Sequence, residues 1–273
     1  MKKYVVIGDI HCRDNWKRLI LKDAVHVFVG DYFSPYDNFI PFKKRVERFN
    51  EIIQFKKDHP ETILLVGNHD EDHWHICEGY SRQDAWNINK IRALFEENKD
   101  LFQAAYSIEN KVLVTHAGVS AYWYARRALG KENGHLFIDD PERFKLTPDL
   151  VAEAVNKLWY EDPIKNFSFR GNSKMSDYNG ISEMQSPMWI REAGLRDQNI
   201  FSGTSYVQVY GHTINDEIEH FSDPDNTNKG QRYMIDCLQY KTEALLIEYD
   251  DAGVQHISHL EGVEYPSDYQ NEQ

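Results

Sequence analysis

The stretch LLVGNHDEDHWHICEG, Leu64 to Gly79, sets three histidines and three carboxylates side by side in the seven residues from His69 to His75. Side chains of these types bind metals or move protons, and two arrangements suit them. In a helix, His69 and His73 would share a face, at the spacing of the His-Glu-x-x-His zinc site in which a glutamate acts as base, although Asp70 follows His69 here. In a strand followed by a loop, Asn68 and His69 would stand at a strand end, where open α/β sheets gather their ligands. The apolar run Thr62-Ile63-Leu64-Leu65-Val66 stops at Gly67, which reads as a buried strand and a tight turn. Glu71, Asp72, His73 and His75 offer no apolar stripe to a helix. The sequence therefore predicts a strand and a loop.

Four other runs end in the same way. Tyr4-Val5-Val6-Ile7 meets Gly8-Asp9-Ile10-His11, and Val25 to Val29 meets Gly30-Asp31-Tyr32. Lys111 to Val114 meets Thr115-His116-Ala117-Gly118, and Tyr206 to Tyr210 meets Gly211-His212-Thr213. One Gly-Asp after a strand is ordinary turn chemistry. Five endings that all carry ligand types for hard or borderline metals imply a shared site.

The order Gly-Asp-x-His, Gly-Asp, Gly-Asn-His-Asp, His-Ala-Gly, Gly-His-Thr, from Asp9 to Thr213, resembles the calcineurin-like metallophosphoesterases. Ile214, where other branches place a second histidine, makes it more similar to the phosphoprotein phosphatase and symmetrical dinucleoside tetraphosphatase branch. His116-Ala117-Gly118-Val119 with Trp123, Leu158-Trp159 and Phe169-Arg170-Gly171 also resemble that tetraphosphatase. The resemblance implies an α/β fold of two mixed β-sheets packed face to face and flanked by helices in four layers, with a helical and loop insertion beside the active site.

Two divalent ions a few ångströms apart need one ligand that reaches both, and a carboxylate can bridge. Asp31 is the candidate. Asp9 and His11 complete a first site with it; Asn68, His116 and His212 complete a second. A hydroxide shared between two cations is then the expected nucleophile. In the family pattern His69 protonates the leaving oxygen, with Asp70 or Glu71 to orient it. For the phosphoryl oxygens, which arginine grips as a rigid fork, Pro187-Met188-Trp189-Ile190-Arg191 resembles a stretch of small bacteriophage and bacterial protein phosphatases. Arg191 is the first choice and Arg170 the second. The family's Gly-Asp-x-x-Asp-Arg-Gly appears here as Gly30-Asp31-Tyr32-Phe33-Ser34-Pro35-Tyr36, without its second aspartate or its arginine.

The function implied is a two-metal phosphoesterase, first a Ser/Thr-protein-phosphatase-like phosphomonoesterase. The alternatives are a dinucleoside polyphosphate or other nucleotide hydrolase, and a non-catalytic phosphate-binding module on the same fold. Manganese is the expected metal, with iron and zinc as alternatives. The net charge of −13 opposes duplex nucleic acid and anionic membranes; a phosphorylated small molecule or phosphoprotein fits better. Oligomeric state is not legible.

The motifs run through Thr213, so the expectation is one domain, 1–265, with 121–200 a specificity insertion and 266–273 a polar tail. Helical patterns run from Asn15 to Asp23, Phe42 to Asp58 and Asp84 to Asn98. Tyr233 to Cys237, Ala244 to Tyr249 and Val254 to Leu260 read as strands closing a second sheet. Only four apolar residues follow Met1-Lys2-Lys3, too few for a signal-peptide core, and Cys12, Cys77 and Cys237 show no Cys-x-x-Cys spacing. Both features fit a reducing cytoplasm.

Overall fold

A computed structural model describes residues 1–36, 40–75, 82–131, 145–172, 177–223 and 229–262. Cys77, His135 and the 266–273 tail lie outside them.

Eleven strands among the described residues form two mixed sheets. The first has the order β11 (Gln255–Glu261), β10 (Glu243–Tyr249), β1 (Lys2–Ile7), β2 (Val25–Phe28), β3 (Ile63–Leu65), β4 (Phe102–Gln103). The second has the order β5 (Ala105–Ile108), β6 (Val112–Thr115), β7 (Val207–Tyr210), β9 (Gln231–Met234), β8 (Glu219–Phe221). In the first sheet β1 to β4 run parallel; in the second β6, β7 and β9 do.

Strand side chains alternate between two faces, and the apolar residues follow that period. Tyr4, Val6, Val27, Leu65, Leu245 and Ile247 of the first sheet pack on Ile108, Val112, Val114, Val207 and Val209 of the second. Their neighbours Val5, Ile7, Phe28 and Leu64 turn the other way, toward Phe49 and Ile52 of α1 (Phe42–Asp58) and Ile91 and Phe95 of α3 (Ile88–Glu97). Leu113 of the second sheet packs with Val151, Val155 and Trp159 of α5 (Pro148–Glu161) and Trp123 of α4 (Ala121–Arg127). The result is the expected helix–sheet–sheet–helix sandwich. Thr147 caps α5 by accepting the Leu150 N–H, and Pro148 takes its first turn, where a missing N–H costs nothing.

Three readings need correction. β10 and β11 do not close the second sheet: β10 pairs antiparallel with β1, Tyr4 opposite Ile247, and extends the first. Leu245 and Ile247 are apolar on the inter-sheet face of either sheet, so pattern alone could not choose. The Asn15 segment is a short 3-10 turn, Asn15–Leu19, and Asp23 has φ +63, which no helix carries. Most consequentially, the residues after Gly67 are a helix, α2 (Asn68–His75), not a loop. Its inward face is polar and buried instead of apolar, because it turns toward the site; Trp74 supplies the apolar anchor, stacked on Phe95 at 5.5 Å. The remaining helices are α6 (Pro163–Phe167) and α7 (Glu192–Leu195).

Candidate functional site

Six strands of the two sheets release their chains at one place. Asp9 and His11 follow β1, Asp31 follows β2, Asn68 and His69 follow β3, His116 follows β6 and His212 follows β7. Asp236, which the sequence reading did not single out, follows β9. All of these except His212 are buried, and the His212 ring lies within the cluster against Asn68 and His116. His11, Asp31 and His212 hold φ of +44, +57 and +66, a left-handed conformation unfavourable for residues with a Cβ. The glycines of the motifs serve close approach: a Cβ on Gly67 would collide with the Asp31 carboxylate, and one on Gly211 with that of Asp9.

The three ligand histidines obey one rule. His11 donates from Nδ1 to Ser34 O at 2.9 Å, His116 from Nδ1 to Val29 O at 2.9 Å, and His212 from Nε2 to Trp189 O at 3.1 Å. A neutral imidazole has one N–H, so each ring turns its lone pair inward. His116 Nε2 and His212 Nδ1 converge on Asn68 Oδ1 at 2.8 and 3.0 Å. Asp31 Oδ2 lies 3.5 Å from His11 Nε2 and 3.7 Å from His116 Nε2, between the two sets, while its Oδ1 accepts the His69 N–H.

Electrostatics agree with this geometry. Burial pushes the Asp9 and Asp31 carboxyls well above the usual range, and nearby acids push the same way: Asp236 and Asp31 on Asp9, Asp70 on Asp31. Burial also pushes Asp236 up to about 6. The same burial holds His11, His69 and His212 well below the ordinary imidazole value and His116 down at about 3. Crowded carboxylates short of cations beside neutral imidazoles with aimed lone pairs are a donor set that fits divalent ions. Asp9, Asp31 and His116 have ligand atoms within 4.8 Å of one another, as do Asp9, His11 and Asp236.

His69 is set apart. Its Nε2 faces Arg82 Nη2 at 2.7 Å, and since arginine only donates, the ring accepts there and keeps its proton on Nδ1. Asp70 does not orient it: the Asp70 carboxylate takes the N–H groups of Gly67, Asp31 and Tyr32 at 3.0, 2.7 and 2.9 Å and so fixes the turn that presents Asp31. Burial nonetheless lifts Asp70 to about 7 against those donors. His73 donates from Nδ1 to His69 O and accepts the Asp84 N–H at Nε2, so both ring nitrogens are engaged and a His69–His73 zinc pair has no lone pair to use.

A cavity of about 600 Å³ opens beside these groups, lined by Asp31, Asn68, His69 and His212 on its floor and by Arg82 and Arg191. Tyr36, Phe169, Tyr178 and Trp189 give it aromatic walls. Arg191 is held at the rim by Thr213 Oγ1 at 3.3 Å. Glu192, the next residue, forms a buried ion pair with Arg232 at 3.0 Å and accepts the Tyr210 hydroxyl, anchoring the Arg191 segment to β7 and β9. Arg170, in the 3-10 turn Arg170–Asn172, does not line the cavity. Arg82 was missed because no strand ending marks it. It stacks on Tyr36 with 4.0 Å to the ring centroid, and its Nη1 is buried with no hydrogen-bond partner among the described residues.

The family model for calcineurin-like phosphoesterases matches residues 2–238, and the chain belongs to that family. It is a metal-dependent phosphoesterase, built on the strand endings described above. Among solved structures it is similar to a protein serine/threonine phosphatase from Saccharomyces cerevisiae, described as similar to human phosphatase PP5. The identity is 17% and the TM-score 0.47, over 97% of this chain and 82% of that one. No curated protein sequence matches it.

Proposed function

We propose that this phosphoesterase works with two divalent ions, manganese first among them, and removes a phosphoryl group from a phosphomonoester in the manner of the Ser/Thr protein phosphatases. The observation that carries the reading is Asp31 Oδ2, set between the inward nitrogens of His11 and His116, where one oxygen can serve both ions. When bound, the ions supply an activated water and draw charge from the phosphoryl oxygens.

The chain's own residues do the rest. Asp9, His11, Asp31, Asn68, His116 and His212 would hold the ions, with Ser34 O, Val29 O and Trp189 O locking the rings. Arg82 and Arg191 grip the equatorial oxygens across the cavity. Arg82 takes the place of the arginine missing after Asp31, approaching from a different segment of chain. His69 stands at the cavity floor as the residue that delivers a proton to the leaving oxygen, which requires Arg82 to release Nε2 and the neutral ring, whose own proton is on Nδ1, to take up a solvent proton at Nε2 before passing it on. The chain 1–265 acts as one domain, and its segment 121–200 sets specificity, since Phe169, Tyr178, Trp189 and Arg191 come from it. The buried, unpaired Cys12 and Cys237 suit a cytoplasmic setting.

One observation favours the nucleotide alternative. Four aromatic side chains line a cavity of nucleotide size, and bases stack on such walls. Steady-state hydrolysis by metal-loaded protein across phosphopeptides, dinucleoside polyphosphates and mononucleotides separates the two readings. Metal-dependent phosphate release that disappears in Asp31→Asn supports both, whereas turnover that survives in Asp31→Asn and in chelator overturns the two-ion mechanism.

A further inference from the structure

We propose that Asp236 is a ligand of the first ion beside Asp9, His11 and Asp31, so that three carboxylates and one imidazole surround it. The inference rests on the two-ion reading of the site and adds a ligand outside the strand-end motifs that announced the rest.

Asp236 is wholly buried, and neither of its carboxylate oxygens has a hydrogen-bond partner among the described residues. The Asp9 carboxyl lies beside it, near enough for the two to interact. Two buried carboxylates that face each other with no N–H or O–H between them need a proton or a cation there. A ligand atom of Asp236 lies within 4.8 Å of both an Asp9 oxygen and a ring nitrogen of His11, a spacing one ion can span.

Arg13 attracts the Asp236 carboxylate through space but gives its hydrogen bonds to Asp9 O and to Gln239 Oε1, each at 3.1 Å. The Asp236 backbone is also fixed. Its carbonyl accepts the Asn215 N–H at 2.8 Å, and Ile235 N–H donates to Tyr210 O at 2.8 Å. Gly8 packs on Ile235 O so closely that no Cβ fits between them. The carboxylate is thus held beside Asp9 by the sheet itself.

The consequence is a chemical asymmetry. Site one becomes rich in carboxylate oxygen, which suits a hard cation such as Mn²⁺, while Asn68, His116 and His212 give site two a borderline character.

The test is calorimetric titration of the metal-stripped full chain with MnCl₂, comparing wild type, Asp236→Asn and Asp236→Glu. The expected result is two sites in the wild type, one of them weakened at least tenfold in Asp236→Asn with the other unchanged, and partial recovery in Asp236→Glu. Two wild-type-like sites in Asp236→Asn overturn the role of Asp236 and leave the two-ion reading standing. Fewer than two sites in the wild type overturn both. Anomalous diffraction from Mn²⁺-soaked wild-type crystals gives the same answer without a variant: an Asp236 oxygen within about 2.5 Å of an ion supports the inference, and both oxygens beyond coordination distance of every ion refute it.

Discussion

Removing the Arg82 guanidinium is the sharpest perturbation of the phosphate grip. Arg82 reaches the cavity from the segment before α3, braced by the Tyr36 ring at 4.0 Å and by Ser34 Oγ against its carbonyl at 3.5 Å. Nη1 is buried without a hydrogen-bond partner among the described residues, and Nη2 becomes a second donor for a dianionic group once it leaves His69 Nε2. A hydrogen bond to a charged group contributes about 1.5–3 kcal/mol. Arg82→Ala should therefore lower kcat/KM about 10- to 150-fold at 1.36 kcal/mol per decade. Arg82→Lys should recover little, because a lysine cannot present two donors in one plane. Tyr36→Ala should give a smaller loss of the order of 0.5–1 kcal/mol, the worth of an exposed cation–π contact. The assay is steady-state hydrolysis at saturating metal, with metal content measured in parallel, since Arg82 meets the site through His69 and Tyr36. Turnover within about twofold of wild type in Arg82→Ala would show that Arg191 carries the phosphate alone and that the Arg82–His69 contact is structural.

Other outcomes follow from the same geometry. Asp31→Ala should lose metal as well as rate, because one oxygen faces both ligand sets; elemental analysis finding two full-occupancy ions would refute the bridge. His69→Asn should slow an alkyl phosphate by about 10²- to 10⁴-fold while sparing much of the rate on an activated aryl phosphate, with metal retained. Equal losses on the two esters would remove the proton-donor role. His26, buried behind α1, accepts the Leu21 N–H, and burial holds its imidazole down at about 4. The unfolded imidazole titrates near 6.5, so between pH 4 and about 6.5 the unfolded chain binds the extra proton and stability falls as pH falls. Thermal melts of His26→Gln should show a shallower loss across that window than wild type, and parallel slopes would contradict the assignment.

The strand-end motifs were legible because each combines a local signal, an apolar run, with a residue type whose chemistry has few other uses there. That is why Asp9, His11, Asp31, Asn68, His116 and His212 emerge from sequence and also meet in space. Asp236 escaped because Met234-Ile235-Asp236 lacks a glycine, its close approach being provided by Gly8 on another strand. Helix α2 escaped for a related reason: amphipathic patterning assumes an apolar interior, whereas His69, Asp70 and His73 face a polar one. Arg82 belongs to no element, and its importance is created by where Tyr36 and His69 place it. The assignment of β10 to the first sheet depended on partner choice between two equally apolar faces, which a single sequence does not encode locally.

The strand endings come from both sheets, and this has a thermodynamic meaning apart from catalysis. Asp9, His11, Asp31 and Asn68 leave the six-stranded sheet, and His116, His212 and Asp236 leave the five-stranded one. A cation held by both sets is a removable rivet across the sandwich, joining residues 227 positions apart in the chain, 236 minus 9. On the two-ion reading its binding energy would be folding energy: at a free concentration one hundred times Kd, each ion would add about 2.7 kcal/mol of stability. Chelation should accordingly be felt at a distance, as faster amide exchange along Val6, Val27, Val114 and Val209, where the sheets meet. On that reading the seam between the sheets would register the metal supply around the protein.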